Sequence, residues 1–167
     1  MGKPLLIARA ITYSTLFIAF ILIYVPGRLL SWSGIAQPEV MGAAQIAGMM
    51  VGAIGAAIAL CCILAFAFIG EGTPAPFDPP RRLVIRGPYR FVRNPMYIGA
   101  GLGFAGTALY YQSWWIAGYA ALFLIVTHLF VTGYEEPALR RTFGSEYNAY
   151  CNRVNRWLPR RSSLMHS

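Results

Sequence analysis

The segment from Val40 to Ile69 carries no charged side chain, and this feature constrains the fold more than any other. A helix needs about 20 apolar residues to cross the hydrocarbon core of a bilayer, and this segment is longer than that. Residues 4–25 form a second long apolar segment, interrupted only by Arg9. The apolar residues, 57% of the chain, come in long blocks, whereas a soluble core shows short alternating patterns. The chain is therefore predicted to be a polytopic membrane protein.

Two further apolar segments raise the expected number of spans to about four. Pro95–Tyr111 has a length of about 17 residues, which is the lower limit for a crossing helix. Trp114–Tyr134 contains no charged residue and one histidine, His128. The predicted fold is all-α: one membrane domain over residues 1–167. Within this domain, residues 1–69 are predicted to form two scaffold helices. Residues 70–160 are predicted to form a Pro-rich loop, a helical hairpin and a C-terminal amphipathic helix that caps the site.

The net charge of +8 is distributed unevenly between the two ends of these spans. With the N-terminus inside, Lys3, Arg9, five arginines of the loop 70–94 and six of the tail lie on one side, and only Arg28 lies on the other. By the positive-inside rule, both termini and the loop are expected to be cytoplasmic, in a bacterial inner membrane. The expected partners are membrane lipids and not nucleic acid, because anionic lipid explains the basic surface. The oligomeric state stays open.

Cysteine and histidine positions argue against a metal site. Cys61 and Cys62 lie within the second span, Cys151 lies in the tail, and the spacing of a metal-binding motif is missing from the sequence. No metal is expected.

Small residues on the second span predict a close helix contact. Gly48, Gly52 and Ala56 recur every four residues, a pattern that lets another helix approach. A substrate groove along the same face is the alternative.

The loop 70–94 contains five prolines, so most of it cannot be helical. Its apolar residues 83–85, with Tyr89 and Phe91, predict that it packs against the rest of the protein. At its end, Asn94 and Pro95 predict a helix start, in which the Asn94 side chain caps free backbone N–H groups.

The tail is predicted to bend at Pro137, which cannot donate a helical hydrogen bond. Gly144 should break the helix, and Ser145 is a candidate cap for a final one. From Tyr147 to Leu158, apolar residues recur with helical spacing, which predicts an amphipathic helix that lies on the interface or closes over a cavity.

The arginines before the third span and the acidic pair after the fourth should meet at one mouth, because a short hairpin joins these two spans. Arginine or a helix N-terminus suits a carboxylate, glutamate suits an ammonium, and aromatic rings suit a sulfonium and a purine. S-adenosylmethionine has all four groups, although this chemistry alone does not single it out from other zwitterions.

Two motifs, "GPYRFVRNPMYIG" (87–99) and "EEPALRRTFGSEYNAYCNRV" (135–154), resemble the isoprenylcysteine carboxyl methyltransferase and phospholipid methyltransferase superfamily. The resemblance covers about residues 70–160. It implies methyl transfer from S-adenosylmethionine, giving S-adenosylhomocysteine, to a lipid-like or isoprenylated acceptor that presents a carboxylate, amine or thiol. The implied cofactor-binding residues are Tyr89, Arg93, Asn94, Pro95, Tyr97, Gly99, Glu135, Glu136 and Tyr147.

The catalytic residue is left open, with Glu136 and Arg153 as candidates. His128 either lines the acceptor cavity or makes a hydrogen bond between helices. Asn94 departs from the histidine that carboxyl methyltransferases of this superfamily carry, so the substrate does not transfer from the resemblance.

Simpler interpretations exist for several of these residues. The glutamates could be helix-end charges paired with Arg140, Arg90 and Arg93 could anchor phospholipid, and Arg153 could be a surface charge. The rival functions are an NADPH-dependent membrane lipid or sterol-type reductase and a non-enzymatic membrane scaffold. Two carboxylates at the mouth would repel a dinucleotide, which favours the methyltransferase.

Overall fold

A computed structural model of the protein describes residues 19–65 and 83–160, and within these two ranges every regular element is helical. The all-α prediction is confirmed for this part of the chain. The α-helices of these two ranges are α1 (Val25–Trp32), α2 (Ala43–Ala65), α3 (Pro95–Tyr111), α4 (Trp114–Phe130) and α5 (Glu136–Arg153). A π-helical turn, Phe20–Tyr24, leads into α1; another, Val131–Glu135, joins α4 to α5; and a 3-10 turn, Gly87–Arg90, precedes α3.

In the part of the chain that the structure describes, two helical runs are long and apolar enough to cross a membrane: α2, and the continuous run Trp114–Arg153 that contains α4 and α5. Helix α3 begins and ends where the sequence predicted, but with 17 residues it is slightly too short to count as a candidate span. Most of the predicted first span, residues 4–25, lies outside the described residues. The structure therefore supports two candidate spans, and the count of four stays a prediction.

Helices α2 and α3 approach so closely that their glycines contact backbone across the interface. A Cβ atom on Gly106 would lie 2.6 Å from the oxygen of Gly48, and one on Gly99 would lie 2.8 Å from the oxygen of Gly55. Such distances leave no space for a side chain. The close contact predicted from the small residues of α2 is thus confirmed, with Gly55 in the place expected for Ala56, which is exposed.

Helices α3 and α4 form the predicted hairpin through a two-residue connection. Gln112 adopts a left-handed conformation (φ 49°) that ends α3, and the Ser113 hydroxyl accepts a hydrogen bond from Ile116 N–H at 3.4 Å to begin α4. Phe104 of α3 packs edge-on against Tyr119 and Phe123 of α4. The start of α3 and the end of α4 consequently lie at the same end of the molecule.

The distortion predicted at Pro137 takes the form of a π-helical turn. Proline has no N–H for the carbonyl of Gly133, and the preceding turn is widened so that Glu136 N–H donates to the Val131 oxygen. The predicted break at Gly144 is confirmed, since its backbone (φ 50°, ψ −120°) is not helical.

The last helix ends earlier than its apolar pattern predicted. Helix α5 stops at Arg153, and Val154 is extended. Asn155 then pairs with Val92 in an isolated parallel bridge, in which Arg93 N–H donates to the Asn155 oxygen at 2.9 Å. The prediction of helix as far as Leu158 is wrong, because this backbone pairs with the loop before α3. Residues 154–157 are called the strap below.

The described part of the loop before α3 packs against both its neighbours. Val84 and Tyr89 are buried against the C-terminal end of α2, at Cys62 and Ala65. Leu83 packs on the cluster that Tyr147, Tyr150 and Val154 form. The predicted packing is confirmed from residue 83 onward, and residues 70–82 lie outside the described residues.

Candidate active site

A cluster of charged and aromatic residues forms where the start of α3, the π turn before α5 and the strap converge. The hairpin brings the first two of these together, and the strap is added by its pairing with Val92. The sequence prediction that the basic motif and the acidic pair share one mouth is therefore confirmed in geometry.

Glu136 lies at the centre of the cluster and is almost fully buried, with a side chain 6% exposed. Arg156 of the strap donates hydrogen bonds to both carboxylate oxygens of Glu136, with Nε 2.6 Å from Oε1 and Nη2 2.9 Å from Oε2. Arg93 Nη1 lies 3.4 Å from Oε1, and the exposed Arg140 lies 3.9 Å from Oε2. The hydrogen bond to Glu136 raises the pKa of Arg156 above its ordinary value, so Arg156 is charged at all physiological pH.

Arg93 has a second contact and one unused donor. Its Nη1 donates to the sulfur of Cys151 at 2.6 Å. Its Nε atom is buried and has no hydrogen-bond partner among the described residues. Since a buried unpaired donor costs free energy, this N–H suggests a place for a ligand oxygen.

Asn94 occupies the residue before α3 but does not cap it with its side chain. The side-chain amide instead donates to the Arg156 carbonyl oxygen at 3.3 Å. The predicted side-chain cap is wrong, because this amide forms its hydrogen bond with the strap and not with the first turn of α3. Pro95 does begin the helix, as predicted. The N–H groups of the first turn are thus not capped by Asn94, and a helix N-terminus of this kind attracts anions.

Glu135 differs from its neighbour. Tyr97 donates to its Oε2 at 2.9 Å, and within the described ranges Glu135 forms no salt bridge. The simpler interpretation, in which both glutamates pair with Arg140, holds only weakly for Glu136 and not for Glu135. Among the described residues, arginines therefore neutralise one carboxylate of the acidic pair and not the other.

Three buried tyrosines lie next to the charged residues of the cluster. Tyr147 and Tyr150 are buried in α5, and the Tyr150 hydroxyl donates to the Tyr89 carbonyl oxygen at 2.6 Å. Burial, followed by the nearby Cys62 and Glu135, raises the pKa of Tyr89 above its ordinary value. Tyr89 therefore stays neutral, and it presents a ring and a hydroxyl group rather than a charge.

Other predicted site residues lie outside the cluster. Gly99 faces Gly55 across the α2–α3 interface. Arg153 is exposed and donates to the Ala149 carbonyl oxygen in its own helix, in agreement with the surface-charge interpretation. His128 accepts a hydrogen bond at Nδ1 from Trp157 Nε1 at 3.1 Å, so its partner is in the strap and not in another transmembrane helix.

Sequence reasoning missed Arg156 and Cys151 as members of the site. Arg156 was one basic residue among six in the tail, and it lies 20 positions from Glu136. The signal that could have found it is the charge balance, since a buried carboxylate requires a cationic partner.

The cluster offers complementary groups for a zwitterion. Glu135, which forms no salt bridge with a described residue, supplies a carboxylate for a cation, while the buried Nε of Arg93 and the start of α3 supply donors for a carboxylate. Groups of three or more metal-ligating side chains do not occur among residues 19–65 and 83–160.

Comparison with known proteins adds one match. Residues 43–146, more than half of the chain, match the sequence model of a family described as phospholipid methyltransferase. Searches of curated proteins and of solved structures gave no match. The matched segment includes α2, the hairpin and the acidic pair, and it ends before the strap.

Proposed function

The chain belongs to the phospholipid methyltransferase family. From this premise, we propose that it is an integral membrane enzyme that transfers a methyl group from S-adenosylmethionine to the amine of a phospholipid headgroup. The observation that carries the proposal is Glu135: a carboxylate at the end of an apolar helix, held by Tyr97 and without a salt bridge in the described part of the chain.

The residues of the cluster fit the charged end of S-adenosylmethionine. The unpaired Nε of Arg93 and the uncapped start of α3 would hold its carboxylate, and Glu135 would hold its ammonium group. Tyr89 and Tyr97 supply aromatic surface beside these groups, which suits a sulfonium. When bound, this cofactor supplies an activated methyl group that leaves by in-line displacement.

The protein's contribution is then to position the cofactor and the acceptor amine. An amine can accept a methyl group only through a free lone pair, so a phospholipid amine must lose a proton. That proton goes to water, because the oxygen of Glu135 that Tyr97 leaves open is assigned to the ammonium group of the cofactor. The exposed apolar residues of α4, such as Leu122, Ile125 and Leu129, suit a route from the lipid phase.

Methyl transfer in nanodiscs of defined lipid tests this proposal. Purified protein is supplied with methyl-labelled S-adenosylmethionine in nanodiscs of phosphatidylethanolamine, and label is measured in the extracted lipid. Nanodiscs of phosphatidylcholine are the matched control, because a quaternary ammonium cannot accept another methyl group. We expect label only with phosphatidylethanolamine.

Two outcomes would contradict the proposal at different levels. Label in an added isoprenylated cysteine but not in phosphatidylethanolamine would reassign the acceptor and keep the methyltransferase. Binding of NADPH without binding of S-adenosylhomocysteine would remove the methyltransferase itself and favour the reductase.

A further inference from the structure

The strap is fixed to the site at each of its four residues. Val154 is buried against Tyr147 and Tyr150, and Asn155 accepts from Arg93 N–H at 2.9 Å. Trp157 donates to His128 at the end of α4. The strap therefore spans from the loop before α3 to the fourth helix, over the acidic pair.

Arg156 is the strap residue that reaches the charged cluster, and both its backbone and its side chain are held. Its carbonyl oxygen accepts from Asn94, and its guanidinium makes two short hydrogen bonds to Glu136. A planar two-bond contact fixes the orientation of the carboxylate as well as its charge. Arg156 thus determines where the Glu136 carboxylate lies.

The position of Glu136 in turn governs Arg93. Without Arg156, the buried carboxylate would keep only Arg93, at 3.4 Å, and the exposed Arg140, at 3.9 Å, as cationic neighbours. Burying a charge without close compensation is costly, so Arg93 would be drawn to Glu136. Its charge would then be neutralised, and its unpaired Nε would leave its present position.

We propose that Arg156 is a positioning residue for cofactor binding. By satisfying Glu136, it leaves the charge and the Nε atom of Arg93 available to the carboxylate of S-adenosylmethionine. The strap lies beyond residues 43–146, so part of this cofactor site comes from outside the segment that matches the family. The inference rests on the proposed function and adds a residue to it.

Direct binding of labelled S-adenosylhomocysteine to full-length protein in detergent tests the inference. We expect Arg156→Met to weaken binding by about tenfold or more, since it leaves a buried carboxylate without its hydrogen-bonded partner. Arg156→Lys should recover part of the loss, because it restores the charge without the fork. Arg141→Met is the control: this exposed arginine of α5 forms no salt bridge with a described residue.

The double variant Glu136→Gln/Arg156→Met separates positioning from general stability. Removing the uncompensated carboxylate should restore binding to within about threefold of the parent, whereas a strap that merely lost packing would stay weak. Thermal unfolding of each variant is followed in parallel. The inference is overturned if Arg156→Met binds as well as the parent, or if the double variant binds no better than Arg156→Met. A parent that binds no S-adenosylhomocysteine would overturn the proposed function as well.

Discussion

Glu135 and Glu136 are neighbours in the chain, yet their surroundings give them different tasks. Consecutive residues of a helix point about 100° apart, so two adjacent carboxylates cannot share the same partners. Glu136 turns towards three arginines and anchors the strap, whereas Glu135 turns towards Tyr97 and has no cationic partner among the described residues. At this scale, the acidic pair combines one structural carboxylate with one that, in the proposed function, binds a ligand.

Single substitutions of the two glutamates should therefore change different properties. Glu135→Gln should weaken binding of the amine-bearing cofactor analogue sinefungin by about 1.5–3 kcal/mol, the value of a charged hydrogen bond, with little change in unfolding. Glu136→Gln should instead lower stability by about 1–3 kcal/mol, because it leaves buried guanidinium groups without a carboxylate. Sinefungin affinity and thermal unfolding are measured for both. Loss of affinity in Glu136→Gln with unchanged unfolding would contradict this division.

The central structural element is the α2–α3 pair, whose glycines bring two backbones into contact. Gly48, Gly52 and Gly55 of α2 lie on the face that Gly99 and Gly106 of α3 approach. Small residues allow van der Waals packing of backbones, which drives helix association in a membrane. The α2–α3 contact fixes the position of the first turn of α3 in the fold, and hence the place where Arg93 meets the acidic pair.

Two glycines of the same helix make a matched test of this interface. An added Cβ on Gly106 would lie 2.6 Å from backbone atoms of Gly48 and Gly52, whereas one on Gly103 would meet nothing within 4 Å. Gly106→Ala should lower the unfolding temperature in detergent. Gly103→Ala should leave it unchanged or raise it, since alanine favours helix over glycine by about 1 kcal/mol. Equal unfolding temperatures for the two variants would show that the close approach is not what holds the helices together.

The sequence correctly predicted those features of the fold that depend on the properties of single residues. The start of α3 at Pro95, the break at Gly144 and the small-residue contact each follow from backbone freedom or side-chain size. The failures involve partners far away in the chain. The Asn94 side chain donates to the carbonyl oxygen of Arg156 and does not cap α3. Helix α5 ends at Arg153 because the next residues pair with Val92. Sequence periodicity cannot reveal such competition.

Across the whole molecule, apolar surface and charge occupy different regions. Large apolar residues are exposed along α2 and α4, including Met50, Ile54 and Leu129, as expected for helices that face lipid. Of the arginines in the described ranges, only Arg28 lies before α2; the others lie next to the start of α3 or after α4. By the positive-inside rule, we expect that end to face the cytoplasm. Because S-adenosylmethionine is made in the cytoplasm, this orientation is also the one that the proposed function requires.

Cysteine labelling in intact cells tests this orientation and the number of crossings together. Cysteine is introduced at Gln37 before α2, at Ile85 before α3 or at Ser145 in α5, all exposed positions, and a membrane-impermeant maleimide is applied. We expect Gln37→Cys to be labelled, because one crossing separates it from the cytoplasmic end. Ile85→Cys and Ser145→Cys should be labelled only after permeabilisation, because the α3–α4 hairpin crosses twice and returns to the same side. The parent, with its three native cysteines, is the background control. Labelling of Ile85→Cys in intact cells would reverse the orientation, and opposite results for Ile85→Cys and Ser145→Cys would mean that only one of α3 and α4 crosses.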